Sequence, residues 1–148
     1  MPKKLTHEEF LEKLWEKNEH YKAEGFKVVS NYVNYKTSIL VEDKYGVCRV
    51  WYTQLVNNQY KPSILSAVDK TTYFKNELLE VNSHYRNNLF EVISDYEGRL
   101  SKILVLTKYG ICSMDASSLL LGYMPRVESA IDKEDYYYNI LKETNPRI

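Results

Sequence analysis

Side chains that form crosslinks, metal sites or nucleophiles are scarce in this chain. It has two cysteines and three histidines among 148 residues, and its 20 basic residues are balanced by 20 acidic ones. Dedicated non-specific DNA-binding proteins are usually strongly basic, so this balance argues against that class. A chain of this length buries enough surface to fold without a metal or a disulfide.

Two further absences concern location and catalysis. No apolar run approaches the roughly 20 residues that a membrane-spanning helix needs, and residues 1–4 lead into a charged helix without a secretory signal. We therefore predict a cytoplasmic protein with reduced cysteines and no membrane contact. There is also no glycine-rich phosphate loop, nucleophile elbow or dinucleotide fingerprint, so we predict no enzyme activity and no cofactor.

Tyrosine is abundant, with 14 residues beside two Trp and four Phe. Aromatic residues favour β-strands and supply amphipathic rings for contact surfaces. The sequence also repeats itself. Residues 44–48, Lys-Tyr-Gly-Val-Cys, return as Lys-Tyr-Gly-Ile-Cys at 108–112, and many flanking residues return in the same order. We interpret this as a tandem duplication, with copies at residues 1–73 and 74–148.

Each copy has the pattern of one helix followed by three strands. Thr6 and Glu9 form a capping-box pattern before an apolar stripe, which predicts a first helix that ends near Gly25. A helix over 69–86 closes the first copy and opens the second. The sequence predicts an α+β fold of tandem α-βββ units, with antiparallel three-stranded sheets and a shared central helix. The remaining predicted elements are strands at 26–33, 37–42, 47–52, 89–97, 102–106 and 111–115, and a final helix at 133–144 capped by Asp132.

Residues 42–46 and 61–64 align with two motifs, Cys-Pro-x-His-Gly and Cys-Pro-x-Cys, and keep their glycine and second proline as Gly46 and Pro62. In this respect the repeat resembles a unit common in phage and mobile-element proteins, often beside endonuclease-like domains. The resemblance implies a metal-free branch whose core replaces the zinc, and an association with nucleic acid. The family's ligand positions hold Glu42, Tyr45, Lys61 and Ile64 in the first copy, and Leu106, Tyr109, Met124 and Val127 in the second.

Cys48 and Cys112 occupy the same place in the two copies. They are candidates for zinc ligands, nucleophiles, a disulfide or packed core residues. Neither has a second Cys or a His at ligand spacing, and no base can be assigned to either. Packing within equivalent strands explains them most simply.

The third strand of the first copy differs from its counterpart in the second. The distinctive residues are aromatic or cationic: Arg49, Trp51 and Tyr52 on the strand, with Tyr35 and Lys36 in the loop before the second strand. Such rings stack on bases or on partner side chains, and the cations bind phosphates or carboxylates. The alternative is that Trp51 packs under a turn at 53–57.

Three consecutive tyrosines occupy the last predicted helix at 136–138. Because three successive residues sweep most of a helical circumference, at least one ring must point away from the core. Exposed tyrosine is favoured at protein interfaces. Tyr137 and Tyr138 are therefore further candidate binding residues, and they favour self-association as a homodimer.

These features predict a non-catalytic binding protein. The resemblance implies a phage or bacterial defence setting, CRISPR systems included. There the chain would act as an accessory or regulator of a nucleic-acid-targeting nuclease, by contact with the nuclease or its nucleoprotein complex. The first alternative is direct DNA binding through residues 49–52. The second is a metal-dependent nuclease that uses Glu42 and Lys44, a pattern that needs further acidic ligands for Mg²⁺.

Overall fold

The structure, a computed structural model, describes residues 6–17, 25–31, 33–34, 36–52, 63–145 and 147. The chain divides into two compact units, Met1–Tyr73 and Phe74–Ile148. Each unit contains an antiparallel three-stranded sheet, and the described residues also form five α-helices, so the protein has a mixed α+β fold. None of these helices is both long enough and apolar enough to cross a bilayer.

The first unit begins with helix α1, His7–Lys17. The predicted capping box is present: the N–H of Glu9 donates to Thr6 Oγ1 and the N–H of Thr6 donates to Glu9 Oε1, each at 3.1 Å. These bonds satisfy amide groups that the first turn of a helix leaves unpaired. Phe10 and Leu14 lie one turn apart and are fully buried, so this face of α1 belongs to the core.

The first sheet has the strand order β1-β2-β3, with β1 at Lys27–Val28, β2 at Ser38–Glu42 and β3 at Val47–Trp51. Side chains alternate between its two faces. The inner face joins α1 in one hydrophobic cluster. Its fully buried strand residues are Ile39, Val41, Cys48 and Val50.

The second unit contains most of helix α2, which spans Lys70–Val81, so the boundary between the units falls within this helix. A short helix, α3, follows at Ser83–Arg86. The second sheet has the order β4-β5-β6, again antiparallel. The remaining elements are β4 at Phe90–Val92, β5 at Lys102–Thr107, β6 at Gly110–Asp115, α4 at Ala116–Leu120 and α5 at Lys133–Thr144.

The prediction of one continuous helix up to residue 86 was wrong, because the helix is interrupted at Asn82. Asn82 is fully buried and has an extended backbone, with φ −120° and ψ 104°. Its Oδ1 accepts the N–H groups of His84 at 3.0 Å and Tyr85 at 3.2 Å. Its Nδ2 donates to the carbonyls of Leu119 at 2.9 Å and Tyr123 at 3.1 Å. The side chain therefore caps α3 and ties it to the end of α4.

The first strand of each sheet is shorter than predicted. In the first sheet, Ser30 Oγ accepts the N–H of Leu40 at 2.9 Å. In the second, Ser94 Oγ accepts the N–H of Leu104 at 2.8 Å. A serine side chain thus replaces the backbone carbonyl that would continue the ladder, and the regular strand ends before it.

Candidate binding surface

The outer face of the first sheet carries two of the predicted binding residues. In β3, Cys48 and Val50 are buried, whereas Arg49 and Trp51 are exposed. Because alternate strand residues share a face, Arg49 and Trp51 lie on the same side of the sheet. Ser38 of β2 pairs in register with Trp51. We call the surface made by Ser38, Arg49 and Trp51 the Arg49–Trp51 face.

A cross-strand hydrogen bond orients Arg49 on this face. Its Nη1 donates to the Oγ of Ser38 at 3.1 Å. The neighbouring Trp51 side chain is 49% exposed. Because a guanidinium has five N–H donors, the bond to Ser38 fixes its direction without using its full capacity to bind an acidic group.

Lys36 lies in the turn that leads into β2. Its N–H donates to Asn34 Oδ1 at 2.8 Å, and the N–H and hydroxyl of Thr37 both donate to the Asn34 carbonyl, at 3.2 and 2.9 Å. Such side-chain bonds fix a tight turn. Because β2 begins at Ser38, opposite Trp51, Lys36 belongs to the same end of the sheet as the indole. Tyr35, also predicted from this loop, lies outside the described residues.

Tyr52 does not belong to this surface, contrary to the prediction. Its side chain is only 8% exposed, and its ring packs against Phe10 with centroids 6.0 Å apart. Lys13 Nζ lies 5.9 Å from the centroid of the same ring. Tyr52 directly follows β3 and has the same parity as the buried Cys48 and Val50, so its side chain falls on the core side of the sheet.

The charges of the outer face are mixed. Lys27 of β1 and Glu42 of β2 are exposed and lie directly opposite each other in the register. Opposite charges across a sheet stabilise the pairing modestly. With Arg49 and Lys36 the region carries more positive than negative charge, so it suits a partner with acidic groups around an apolar contact.

The two exposed tyrosines of α5 form a second candidate surface. Tyr137 is 54% exposed and Tyr138 is 44% exposed, whereas Tyr136 is buried. Lys142 Nζ lies 5.7 Å from the centroid of the Tyr138 ring. These residues belong to the second unit.

Both cysteines are free thiols that are fully buried. The Sγ of Cys48 donates to the carbonyl of Ser63 at 3.5 Å, and the Sγ of Cys112 donates to the carbonyl of Arg126 at 3.6 Å. Burial raises the pKa of the Cys48 thiol, which keeps it protonated and poorly nucleophilic. These positions agree with the interpretation of both residues as packed core cysteines.

The acidic segment that was the candidate nuclease motif organises the turn between β2 and β3. The Asp43 carboxylate accepts the N–H groups of Tyr45 at 2.8 Å and Gly46 at 3.1 Å, and the Tyr73 hydroxyl at 2.6 Å. Lys44 Nζ lies 5.0 Å from the centroid of the Tyr45 ring. In the part of the chain that the structure describes, no three His, Cys, Asp or Glu side chains are grouped closely enough to hold a metal ion.

Three of the four positions that align with zinc ligands in the second copy share one groove. Leu106, Tyr109 and Met124 line this groove, which has a volume of about 500 Å³, beside Leu89 and Phe90. The three positions are therefore neighbours in space. None of the three side chains is a type that zinc prefers.

The outer face of the second sheet was not identified from the sequence. Leu104, Leu106 and Ile111 are about two-fifths exposed there. The run at 103–106 is continuously apolar, which normally indicates a strand buried on both faces. Val105 pairs with the buried Cys112, so alternation along β5 assigns Ile103 and Val105 to the inner face and Leu104 and Leu106 to the outer face.

The described residues thus present candidate surfaces on both sheets and on α5. No match to a protein-family model, a curated protein or a solved structure was found for this chain. Its function is therefore argued from these surfaces and from the repeat pattern.

Proposed function

We propose that this protein is a non-catalytic binding protein that contacts a partner protein through the Arg49–Trp51 face. The observation that carries the proposal is an exposed indole beside an anchored guanidinium on one face of a strand. Trp and Arg are enriched among the residues that dominate binding energy at protein interfaces. The second copy has Ser113 and Asp115 at the equivalent positions, so the sheet does not require Arg49 and Trp51 for folding.

The partner proposed is a nucleic-acid-targeting nuclease, RNA-guided nucleases included, of which this protein is an accessory or regulator. The support for this setting is the similarity of the repeat to a unit found beside endonuclease-like domains. The mixed charge of the outer face favours a protein over bare DNA, because DNA-binding surfaces are usually continuously positive. Both proteins would meet in the cytoplasm.

We also propose that the chain arose by tandem duplication and that α2 serves both copies. The same contact recurs in each unit: Cys48 forms an isolated antiparallel bridge with Ala67, and Cys112 forms one with Ala130. Helix α2 begins in the first unit and continues into the second. Its position supports a helix that closes one copy and opens the other.

The test uses the purified protein with purified RNA-guided nuclease complexes, and it measures both binding and the rate of DNA cleavage. Trp51→Ala is expected to weaken binding by about tenfold or more, because truncation of an interface Trp typically costs at least 2 kcal/mol. The effect of the protein on the rate of DNA cleavage should be lost together with binding. Tyr123→Ala is the matched control, since Tyr123 is an aromatic residue with 58% exposure outside this face. An equal loss of binding in both variants would reject the Arg49–Trp51 face as the binding surface. If the wild type does not bind the nuclease complexes, the proposed role as a nuclease accessory or regulator is rejected.

Direct DNA binding through the same face is the second candidate, and the cations Lys27, Lys36 and Arg49 favour it. This candidate predicts an affinity that falls steeply with salt and is strongly reduced by Arg49→Glu. A mobility-shift assay with duplex DNA at low salt measures both. The absence of a shift, or a shift that Arg49→Glu leaves unchanged, would exclude it.

A further inference from the structure

We infer that the outer face of the second sheet binds a second copy of this chain. Four apolar side chains on this face are between 37% and 45% exposed: Ile93, Leu104, Leu106 and Ile111. We call them the Leu104–Leu106 stripe. This inference goes beyond the proposed function, because it concerns a different surface and a different partner.

The four residues form one continuous patch. Leu106 pairs in register with Ile111 on one side and with Glu91 on the other. The N–H of Ile93 donates to the carbonyl of Leu104 at 2.9 Å, which places these two residues side by side. Directly opposite residues on one face have Cβ atoms about 4.5–5.5 Å apart, so the stripe is contiguous apolar surface.

Folding of the sheet does not explain the stripe. The inner face already supplies the core, since Ile103, Val105 and Cys112 are fully buried. Antiparallel sheets of this kind commonly have polar residues on the solvent side. The first copy is apolar at three of the four equivalent positions but has Glu42 at the position of Leu106, and its sheet forms with the same order and pairing. Contact with another surface therefore accounts for Leu106 better than a requirement of the fold.

The charges at the border of the stripe favour a second copy as the partner. Glu91 lies beside Leu106, and at the other end Lys102 Nζ is paired with Asp115 Oδ1 at 3.0 Å. The border thus carries both signs, whereas a strongly acidic or strongly basic partner would meet like charge on one side. A two-fold interface brings one surface onto itself, and it can place Glu91 of each copy against Lys102 of the other.

Pairing Glu91 of each copy with Lys102 of the other also places the apolar side chains at the centre of the interface. Leu104 lies between Glu91 and Lys102 on the face, so it falls near the two-fold axis. The result is a small hydrophobic centre with a charged rim, the usual anatomy of a protein interface. The zero net charge of the chain removes long-range repulsion between the copies.

The first experiment measures the monomer–dimer equilibrium of the full chain by sedimentation velocity over a wide range of concentration. The wild type is expected to dimerise reversibly. Leu104→Lys should weaken dimerisation by about tenfold or more, because it places a charge at the desolvated centre. Leu100→Lys is the matched control, since Leu100 is 86% exposed in the same unit but lies outside the strands, and it should change nothing. Circular dichroism verifies that both variants are folded.

The second experiment exchanges the rim charges between copies. Glu91→Lys and Lys102→Glu should each weaken self-association several-fold, because each variant meets like charge in its own dimer. Mixing the two variants should restore association, since each contact between position 91 of one copy and position 102 of the other then joins opposite charges. A wild type that is monomeric at all concentrations would overturn the inference. Equal weakening by Leu100→Lys, or no recovery on mixing, would overturn it as well.

Discussion

The Lys-Tyr-Gly-x-Cys turn occurs once in each unit, and the two turns hold the following helix by different polar contacts. In the first unit, the Tyr73 hydroxyl donates to Asp43 Oδ2 at 2.6 Å. In the second unit, Thr107 Oγ1 donates to the Tyr136 hydroxyl at 3.4 Å. A charge-assisted hydrogen bond is roughly twice as strong as a neutral one, so of these two contacts the one in the first unit is the stronger.

The packing of the same tyrosines is almost identical. Tyr45 meets Tyr73 edge-on, with centroids 5.5 Å apart and planes at 72°. Tyr109 meets Tyr136 at 5.5 Å and 70°. The ring contact is therefore the same in both units, whereas the hydrogen bond that accompanies it differs.

The largest expected effect comes from deletion of the tyrosine ring that packs against each turn. Tyr73→Ala and Tyr136→Ala should each lower the free energy of unfolding by about 3–5 kcal/mol, because each deletes a buried aromatic ring. Both side chains are 3% exposed. Urea unfolding followed by circular dichroism measures the loss. A cost below about 1 kcal/mol for either variant, which is the level of surface substitutions, would break the equivalence of the two turns.

The next largest effect comes from removal of the tyrosine hydroxyl alone, because the hydrogen bond is what differs between the two turns. Tyr73→Phe removes a hydrogen bond to a carboxylate and should cost about 1.5–3 kcal/mol, whereas Tyr136→Phe removes a long neutral bond and should cost about 0.5–1 kcal/mol. The rings stay in place in both variants. Tyr137→Phe, at an exposed position, is the control and should leave stability unchanged. Equal costs for the Tyr73 and Tyr136 variants would show that the charge of Asp43 contributes nothing.

Local signals predicted much of this architecture. The capping box at Thr6 and Glu9 is present, and Asp132 caps α5 by accepting the N–H of Asp135 at 3.0 Å. The two turns form between the strands predicted on either side of Gly46 and Gly110. Gly110 has a φ of +147°, a backbone conformation that favours glycine, whereas a Cβ there would meet the Tyr136 ring at an ordinary contact distance of 3.4 Å.

Features that depend on distant carbonyls were not predictable from local patterns. The helical periodicity continues past Asn82, but its side chain bonds the carbonyls of Leu119 and Tyr123, which are distant in sequence, in addition to capping the next helix. The candidate surface was predicted in part. Trp51 is exposed, whereas Tyr52 is buried, because it has the same parity as the inward-facing Cys48 and Val50.

A smaller effect is expected from the paired cysteines. Cys48→Ala and Cys112→Ala should each cost about 1 kcal/mol, because a buried thiol behaves as a small hydrophobic group. The two remaining single-cysteine proteins then report on one unit each, through the rate at which a thiol reagent labels the buried sulfur. Similar labelling rates would show that the units open together, whereas different rates would rank their local stabilities.

The pH dependence of the Cys48 contribution follows from its burial. Since burial raises the pKa of this thiol above its ordinary value of 9.0, the contribution is fully present below that ordinary value. It is lost as the pH rises through the folded-state pKa. Stability of the Cys112→Ala protein should therefore fall in alkaline solution more steeply than stability of the variant that lacks both thiols. Parallel pH curves for the two proteins would contradict this.

The smallest effect concerns an ion pair that links the second turn to α5. Lys108 Nζ lies 2.7 Å from Glu143 Oε1, and both side chains are about half exposed or more. The hydrogen bond from Lys108 lowers the pKa of Glu143, and the same bond raises the pKa of Lys108. The stabilisation is therefore present above the unfolded carboxyl pKa and below the unfolded lysine pKa. It is lost as the pH falls through the folded pKa of Glu143 or rises through that of Lys108.

Exposure limits what this pair contributes, because water and salt screen it. Glu143→Gln should lower the melting temperature only slightly at neutral pH and low salt. The difference from wild type should vanish at high salt and in acid below the folded pKa of Glu143. Glu97→Gln, another exposed carboxylate of the second unit, is the control and should show no such salt dependence. A large loss that persists at high salt would mean that the second turn depends on this charge as strongly as the first depends on Asp43, and the distinction between the two turns would then fail.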